Sequence, residues 1–140
     1  MPCVFCQIVS GEVPAEIVWR SDTAIAFLDN RPLFPGHVLL IPAQHVDTLA
    51  DLPADQVGPL FQSAQKLELA VEQAMQSQGS FVAVNNKVSQ SVPHLHIHIV
   101  PRTKGDGLKG FFWPRKGYDN DDHLRDTAAR IRHALTRIRA

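Results

Sequence analysis

Residues 94–99 read His94-Leu95-His96-Ile97-His98-Ile99, three histidines at alternate positions with aliphatic residues between them. Alternation is the period of a β-strand. The pattern therefore predicts three imidazoles on one sheet face, with Leu95, Ile97 and Ile99 buried on the other. At the usual strand rise, alternate neighbours stand about 7 Å apart. Imidazole is the side chain whose proton and lone pair are both usable near neutral pH. A plain polar strand face would carry Thr, Lys or Glu instead. Two further histidines, His37 and His45, are placed to join the row. The segment reads as reactive groups laid along a strand.

The remaining pattern predicts one α+β domain over residues 1–140, with a core of about 1–104 and a C-terminal extension of loop 105–119 and helix 121–139. A chain of this size buries about two thirds of its unfolded surface. Val4–Ile8 reads as a short helix or turn ending near Gly11. Ile17–Arg20 and Thr23–Leu28 form a hairpin about Ser21-Asp22. Val38–Ile41, Phe81–Asn85 and His94–Val100 supply the other strands of an antiparallel sheet. Val57, Leu60, Phe61, Ala64, Leu67, Val71, Ala74 and Met75 recur at helical spacing, predicting a long helix over about 53–78 with Gly79 at its C-terminal cap. Pro59 inside that run predicts a start or a kink. The last helix is expected to bury Leu124, Ala128, Ile131, Leu135 and Ile138. Strands interrupted by one long helix predict helices on one side of the sheet.

Fourteen basic residues balance fourteen acidic ones. That argues against nucleic-acid polymers, which reward a strong positive field. Arg102, Lys104, Lys109, Arg115 and Lys116 follow the histidine row and are placed to face an anionic substrate. Arg125, Arg130, Arg132, Arg137 and Arg139 read as a solvated helix face. No run is long and apolar enough to cross a bilayer and no signal peptide precedes Cys3, so a cytoplasmic protein is expected. In a reducing compartment Cys3-Val4-Phe5-Cys6 is a poor structural disulfide.

A Cys-x-x-Cys pair can be a metal site, a redox pair or a coincidence. The redox reading wants a strand-to-helix context that this amino terminus lacks. The metal reading wants two more ligands, and His45 and His94 are the natural candidates. Together they make a Cys2His2 set of the kind that holds a structural Zn2+.

His94-x-His96-x-His98 with Ile99-Val100-Pro101-Arg102, Phe27-Leu28-Asp29-Asn30-Arg31-Pro32, Pro35-Gly36-His37 and Pro42-x-x-His45 together resemble the signature of the histidine triad (HIT) superfamily of nucleotide hydrolases and transferases. The likeness runs from about Cys3 to Arg102. It implies the family's five-stranded fold, a homodimer sharing its sheet, and attack at the α-phosphate of a purine nucleotide conjugate. Members with this Cys-x-x-Cys use it, with the equivalents of His45 and His94, to bind zinc; the metal would be structural. No magnesium site is evident.

Carried over residue by residue, the resemblance makes His96 the nucleophile that forms a nucleotidyl-imidazole, which water then hydrolyses. Its other ring nitrogen would be held by a backbone carbonyl. His98 and His37 would lie at the non-bridging phosphate oxygens, where charge develops. Gln90 and Ser91 resemble contacts to the α-phosphate and departing group, and Asn85 a phosphate- or ribose-side contact. Asp29 resembles the carboxylate that accepts the ribose hydroxyls. Val4, Phe5, Ile8, Val13 and Phe27 resemble the apolar walls around the base.

Two departures stand out. Lys87-Val88-Ser89 replaces the glycine-bearing turn before the glutamine. The segment from Gly107 to Tyr118, with Phe111, Phe112, Trp113 and Pro114, extends past the family core and reads as an interface strap or lid. The expected activity is a hydrolase or nucleotidyl transferase acting on adenosine phosphoramidates, acyl-adenylates or dinucleoside polyphosphates. The rival expectation is a nucleotide-binding regulatory or scaffold protein with little turnover. The leaving group and pathway are not legible in the sequence.

Overall fold

The computed structural model describes residues 2–108 and 115–138. The chain divides into two compact units, Met1–Asp106 and Gly107–Ala140. The first contains, in order, α1 (Val4–Ser10), β1 (Ile17–Arg20), β2 (Ala24–Leu28), β3 (Val38–Pro42), a 3-10 turn (Leu49–Asp51), α2 (Ala54–Met75), β4 (Gly79–Val84) and β5 (Ile97–Arg102); the second contains α3 (Asp121–Thr136). The five strands form one antiparallel sheet in the order β1-β2-β3-β5-β4.

Alternate residues of the strands feed two separate cores. Ala24, Ala26, Val38, Leu40, Leu95, Ile97 and Ile99 pack with Leu60, Ala64, Leu67 and Val71 of α2. Ile25, Phe27, Leu39 and Ile41 pack with Phe5 and Ile8 of α1 on the opposite face. The expectation of helices on one side is therefore corrected: α1 covers the other. This is also why β3 is apolar at every position, since both of its faces are roofed.

The alternation of the histidine row holds, but the ladder begins late. Regular pairing of β5 starts at Ile97 opposite Leu40, so His94 and His96 precede the strand. Beyond that pair β3 runs into Pro42, which has no N–H to donate. Its carbonyl takes the His94 ring instead, and the Leu95 amide turns to Val46. Asn85 likewise falls outside β4.

Helix α2 starts at Ala54 and passes through Pro59 without interruption. Near the amino end a missing donor leaves only one solvent-facing carbonyl short of a partner. It ends at Met75, with Gln76 rather than Gly79 taking the left-handed cap at φ 52°. Gly79 instead opens β4. Gly36 is required twice over. Its φ is +97°, and a Cβ there would stand 2.6 Å from Cγ of Met75.

Helix α3 is capped by the Asn120 side chain, which accepts the His123 amide. Its apolar stripe is not buried as expected: Leu124, Ile131, Leu135 and Ile138 are 46–68% exposed. A single amphipathic helix needs a second element to close over its stripe, and the second unit has none among its described residues. Lys109, Phe111, Phe112, Trp113 and Pro114, the heart of the expected strap, and Arg139 lie outside the described residues.

Candidate functional site

The face covered by α1 is only partly roofed, because α1 has seven residues. Beside it opens a cleft of about 670 Å³. Val4, Phe5, Ile8, Val13 and Phe27 form its apolar wall, with Asp29, Arg31, Ser91, His96 and His98 around them. A second cleft of about 510 Å³, on the side of Trp19, Leu60 and Lys66, holds none of the histidines.

Hydrogen bonds settle the proton positions on three imidazoles. The Leu33 amide lies 3.1 Å from Nδ1 of His37 and can only donate, so that nitrogen accepts. The His37 proton is then on Nε2, which stands 3.0 Å from Nδ1 of His98. Nδ1 of His98 accepts it, leaving a proton on Nε2 of His98. The sequence Leu33 N–H to His37 to His98 is a one-way relay ending in a donor. His96 is set in the opposite sense. Its Nδ1 lies 2.7 Å from the His94 carbonyl, which can only accept, so Nδ1 donates and Nε2 is left with a bare lone pair. The cleft is lined by one imidazole offering a lone pair and its neighbour offering a proton.

Both relay histidines are kept neutral. Burial, followed by the neighbouring His96 and His37 rings, pushes His98 down to about 4 against the opposing pull of the Asp29 carboxylate. Burial also lowers His37, again against Asp29. Asp29 itself is pinned by the Arg31 amide at 2.9 Å.

Behind His96 lies a second cluster. Cys3, Cys6, His45 and His94 each present one ligand atom, all within 4.8 Å of one another. Sγ of Cys3 is 3.3 Å from Nδ1 of His94, and Sγ of Cys6 is 3.3 Å from Nδ1 of His45. The edges of a tetrahedron with zinc–ligand bonds of about 2.0–2.3 Å are roughly 3.3–3.8 Å, close to these spacings. The outer nitrogens are also committed: Nε2 of His94 donates to the Pro42 carbonyl at 2.9 Å, and Nε2 of His45 meets Asp47 at 2.7 Å. That fixes both Nδ1 lone pairs toward the thiols, as metal-ligating histidines require. Burial and the adjacent Cys3 raise the Cys6 thiol, a penalty that a bound cation reverses. The four residues fit a zinc ion.

Asp29, His37 and His98 also converge, but the Nδ1 lone pairs of both rings are taken by the relay. Gln90 and Asn85 are not brought to the cleft. The Gln90 amide bridges the Lys87 amide and the Asp47 carbonyl at 2.9 and 2.6 Å, holding the loop closed. Lys87 and Ser89, where the glycine-bearing turn was absent, adopt left-handed φ values of 69° and 60°. Asp47 went unnoticed in the sequence, though its spacing of two from His45 was the available signal.

The family model of the HIT domain matches residues 10–105, more than half of the chain. The chain belongs to the HIT family. An uncharacterised HIT-like protein of Methanocaldococcus jannaschii is 33% identical over 125 residues, covering 89% of this chain and 97% of that protein. The asymmetrical bis(5'-nucleosyl)-tetraphosphatase of Schizosaccharomyces pombe is 35% identical, and the match covers 67% of this chain and 53% of that protein. An adenylylsulfatase of Arabidopsis thaliana is 36% identical, covering 76% and 55%. Among solved HIT structures, a Bacillus subtilis member superposes with TM-score 0.88 at 27% identity, over 100% of this chain and 99% of that one. A zinc-bound histidine triad protein of Mycobacterium smegmatis superposes with TM-score 0.73 at 34% identity, over 96% and 98%.

Proposed function

We propose that this HIT protein hydrolyses or transfers the nucleotidyl group of a purine nucleotide conjugate, with His96 as nucleophile. The observation that carries the reading is the opposed hydrogen-bond polarity of two adjacent imidazoles at one cleft. Nε2 of His96 attacks the α-phosphorus, the bond from phosphorus to the leaving group breaks, and a nucleotidyl-imidazole forms. Water then cleaves the phosphorus–nitrogen bond and restores the ring. The Nε2 proton of His98, a ring held in that tautomer by His37, meets a non-bridging oxygen as charge builds there. Asp29 accepts the ribose hydroxyls, Phe5, Phe27, Ile8 and Val4 enclose the base, and Ser91 faces the departing group. Gln90 acts indirectly, by holding the loop before the histidines.

The names of the fission yeast tetraphosphatase and the plant adenylylsulfatase support a phosphoryl linkage as the point of attack. Zinc, bound by Cys3, Cys6, His45 and His94, anchors the amino terminus to the sheet; it takes no part in the chemistry. Free thiols in that role fit a reducing compartment such as the cytoplasm. The assembly is a homodimer whose sheet continues across β4, the longer of the two edge strands, where Val82 is exposed.

Incubation with an adenosine phosphoramidate tests the reading. The wild type should release AMP, and His96→Gly should not, while AMP still binds. Equal release by both proteins rejects His96. Protein purified without added zinc should contain about one zinc per chain. Full occupancy in a Cys3→Ser/Cys6→Ser double variant rejects the metal site.

A further inference from the structure

Phe5 lies between the two thiols in sequence and between two centres in space. Its buried ring is edge-on to three others: His96 at 5.1 Å and 88°, His94 at 5.9 Å and 71°, and Phe27 at 5.4 Å and 70°. One side chain thus touches a ligand of the metal set, the bare imidazole of the cleft and an apolar wall of the cleft.

The His96 ring is held at Nδ1 by the His94 carbonyl. A ring tied at one point can still swing about that bond, and the rings of His98, at 4.9 Å, and Phe5 bracket it; of these two, Phe5 is the one that also touches the metal set. The seat of Phe5 depends in turn on α1, whose seven residues are too few to persist by helix propensity alone. Its anchors are the burial of Phe5 and Ile8 and the two thiols. Sγ of Cys3 also accepts the Cys6 amide at 3.4 Å, closing the turn that carries Phe5. On the far side of the cluster His94 is fully buried and bonded to the Pro42 carbonyl. The sheet side of the cluster is therefore fixed, and the α1 side is the one able to yield.

We propose that Phe5 is a positioning residue through which filling of the Cys3–Cys6–His45–His94 set governs nucleotide affinity and the aim of His96. This rests on the nucleotide reading of the cleft. Coupling of this kind is reciprocal: the factor by which zinc tightens AMP is the factor by which AMP tightens zinc.

Zinc-loaded and chelator-stripped protein are titrated with AMP by calorimetry, wild type beside Phe5→Leu, which keeps apolar bulk and loses the ring. Stripping should weaken AMP binding to the wild type about tenfold. In Phe5→Leu the two affinities should agree within about twofold, while zinc still raises Tm. With a phosphoramidate substrate, loaded Phe5→Leu should lose kcat more than it gains KM, and Phe5→Tyr should recover kcat. If stripping unfolds the chain, cobalt-substituted protein decides. AMP should shift its visible d–d bands in the wild type and leave them unchanged in Phe5→Leu. AMP affinity indifferent to zinc in folded wild type, or a cobalt shift equal in both proteins, overturns the proposal. Failure of loaded wild type to bind AMP at all overturns the nucleotide reading, and this inference with it.

Discussion

Ala26, Leu40, Ile97 and Ile99 look toward α2, whereas Phe27, Leu39, His96 and His98 look toward α1, although they alternate along the same segments. The first face is roofed by a helix of 22 residues and closes into an ordinary apolar core. The second is roofed by seven residues, and the unroofed remainder is the cleft. Rigidity and reactivity are thus separated by the pleat rather than by distance. The α2 face holds the backbone that aims the imidazoles, and the α1 face leaves their nitrogens within reach of a ligand. On that side burial keeps His37 and His98 neutral.

If that division is right, substitutions one residue apart on the same segment should have unlike consequences. The largest effect is expected at His96. His96→Gly should lower turnover at least about a thousandfold, with AMP affinity in the loaded protein within a few-fold of wild type. Its neighbour Ile97 faces α2, and Ile97→Ala should destabilise the fold by about 2–5 kcal/mol in equilibrium denaturation. Folded Ile97→Ala should keep its nucleotide affinity. A variant with the opposite signature at either position would break the comparison.

Acid should act on the α1 face first. His98 is depressed to about 4, so below pH 6.5 the unfolded chain takes up a proton that the folded chain refuses. Stability is complete above about pH 6.5 and falls as the pH drops toward 4, by up to about 3 kcal/mol from this group. His37 is lowered as well and acts in the same direction. Denaturation at a series of pH values should show this slope, reduced in His98→Asn. The smallest effect belongs to the loop between the faces. Ser89→Gly relieves a left-handed φ of 60° and should add about 0.5 kcal/mol. A loss of stability there would mean that the hydroxyl is needed.

The histidine row could be read correctly because parity survives local irregularity. His94 and His96 sit outside the regular ladder, yet Leu95 and Ile97 still turn to α2. The grouping of Cys3 and Cys6 with His45 and His94 was legible for a related reason, since few side chains other than these ligate a metal. Gln90 was harder. Position before the histidines suggested a phosphate contact, but its amide is spent on the Lys87 amide and the Asp47 carbonyl of its own loop. A loop amide pairs with whichever backbone group lies nearest, and nothing in the local pattern names that group. The stripe of α3 misled in the other direction. Its spacing is that of a buried face, but spacing records what a helix is able to bury, not what is there to cover it.

Composition and alternation by themselves determined the strands, the long helix, the face on which the imidazoles stand and the kinds of atom gathered there, because these depend on local period and side-chain chemistry. The placement of α1 opposite α2, the tautomer of each ring and the seat of Phe5 between metal ligands and cleft were decided only in three dimensions. Most of them depend on a partner remote in the chain, such as the His37 ring for His98, the Pro42 carbonyl for His94 or the Phe27 ring for Phe5. A proton goes to the nitrogen whose neighbour accepts it, and that neighbour exists only once the chain has folded.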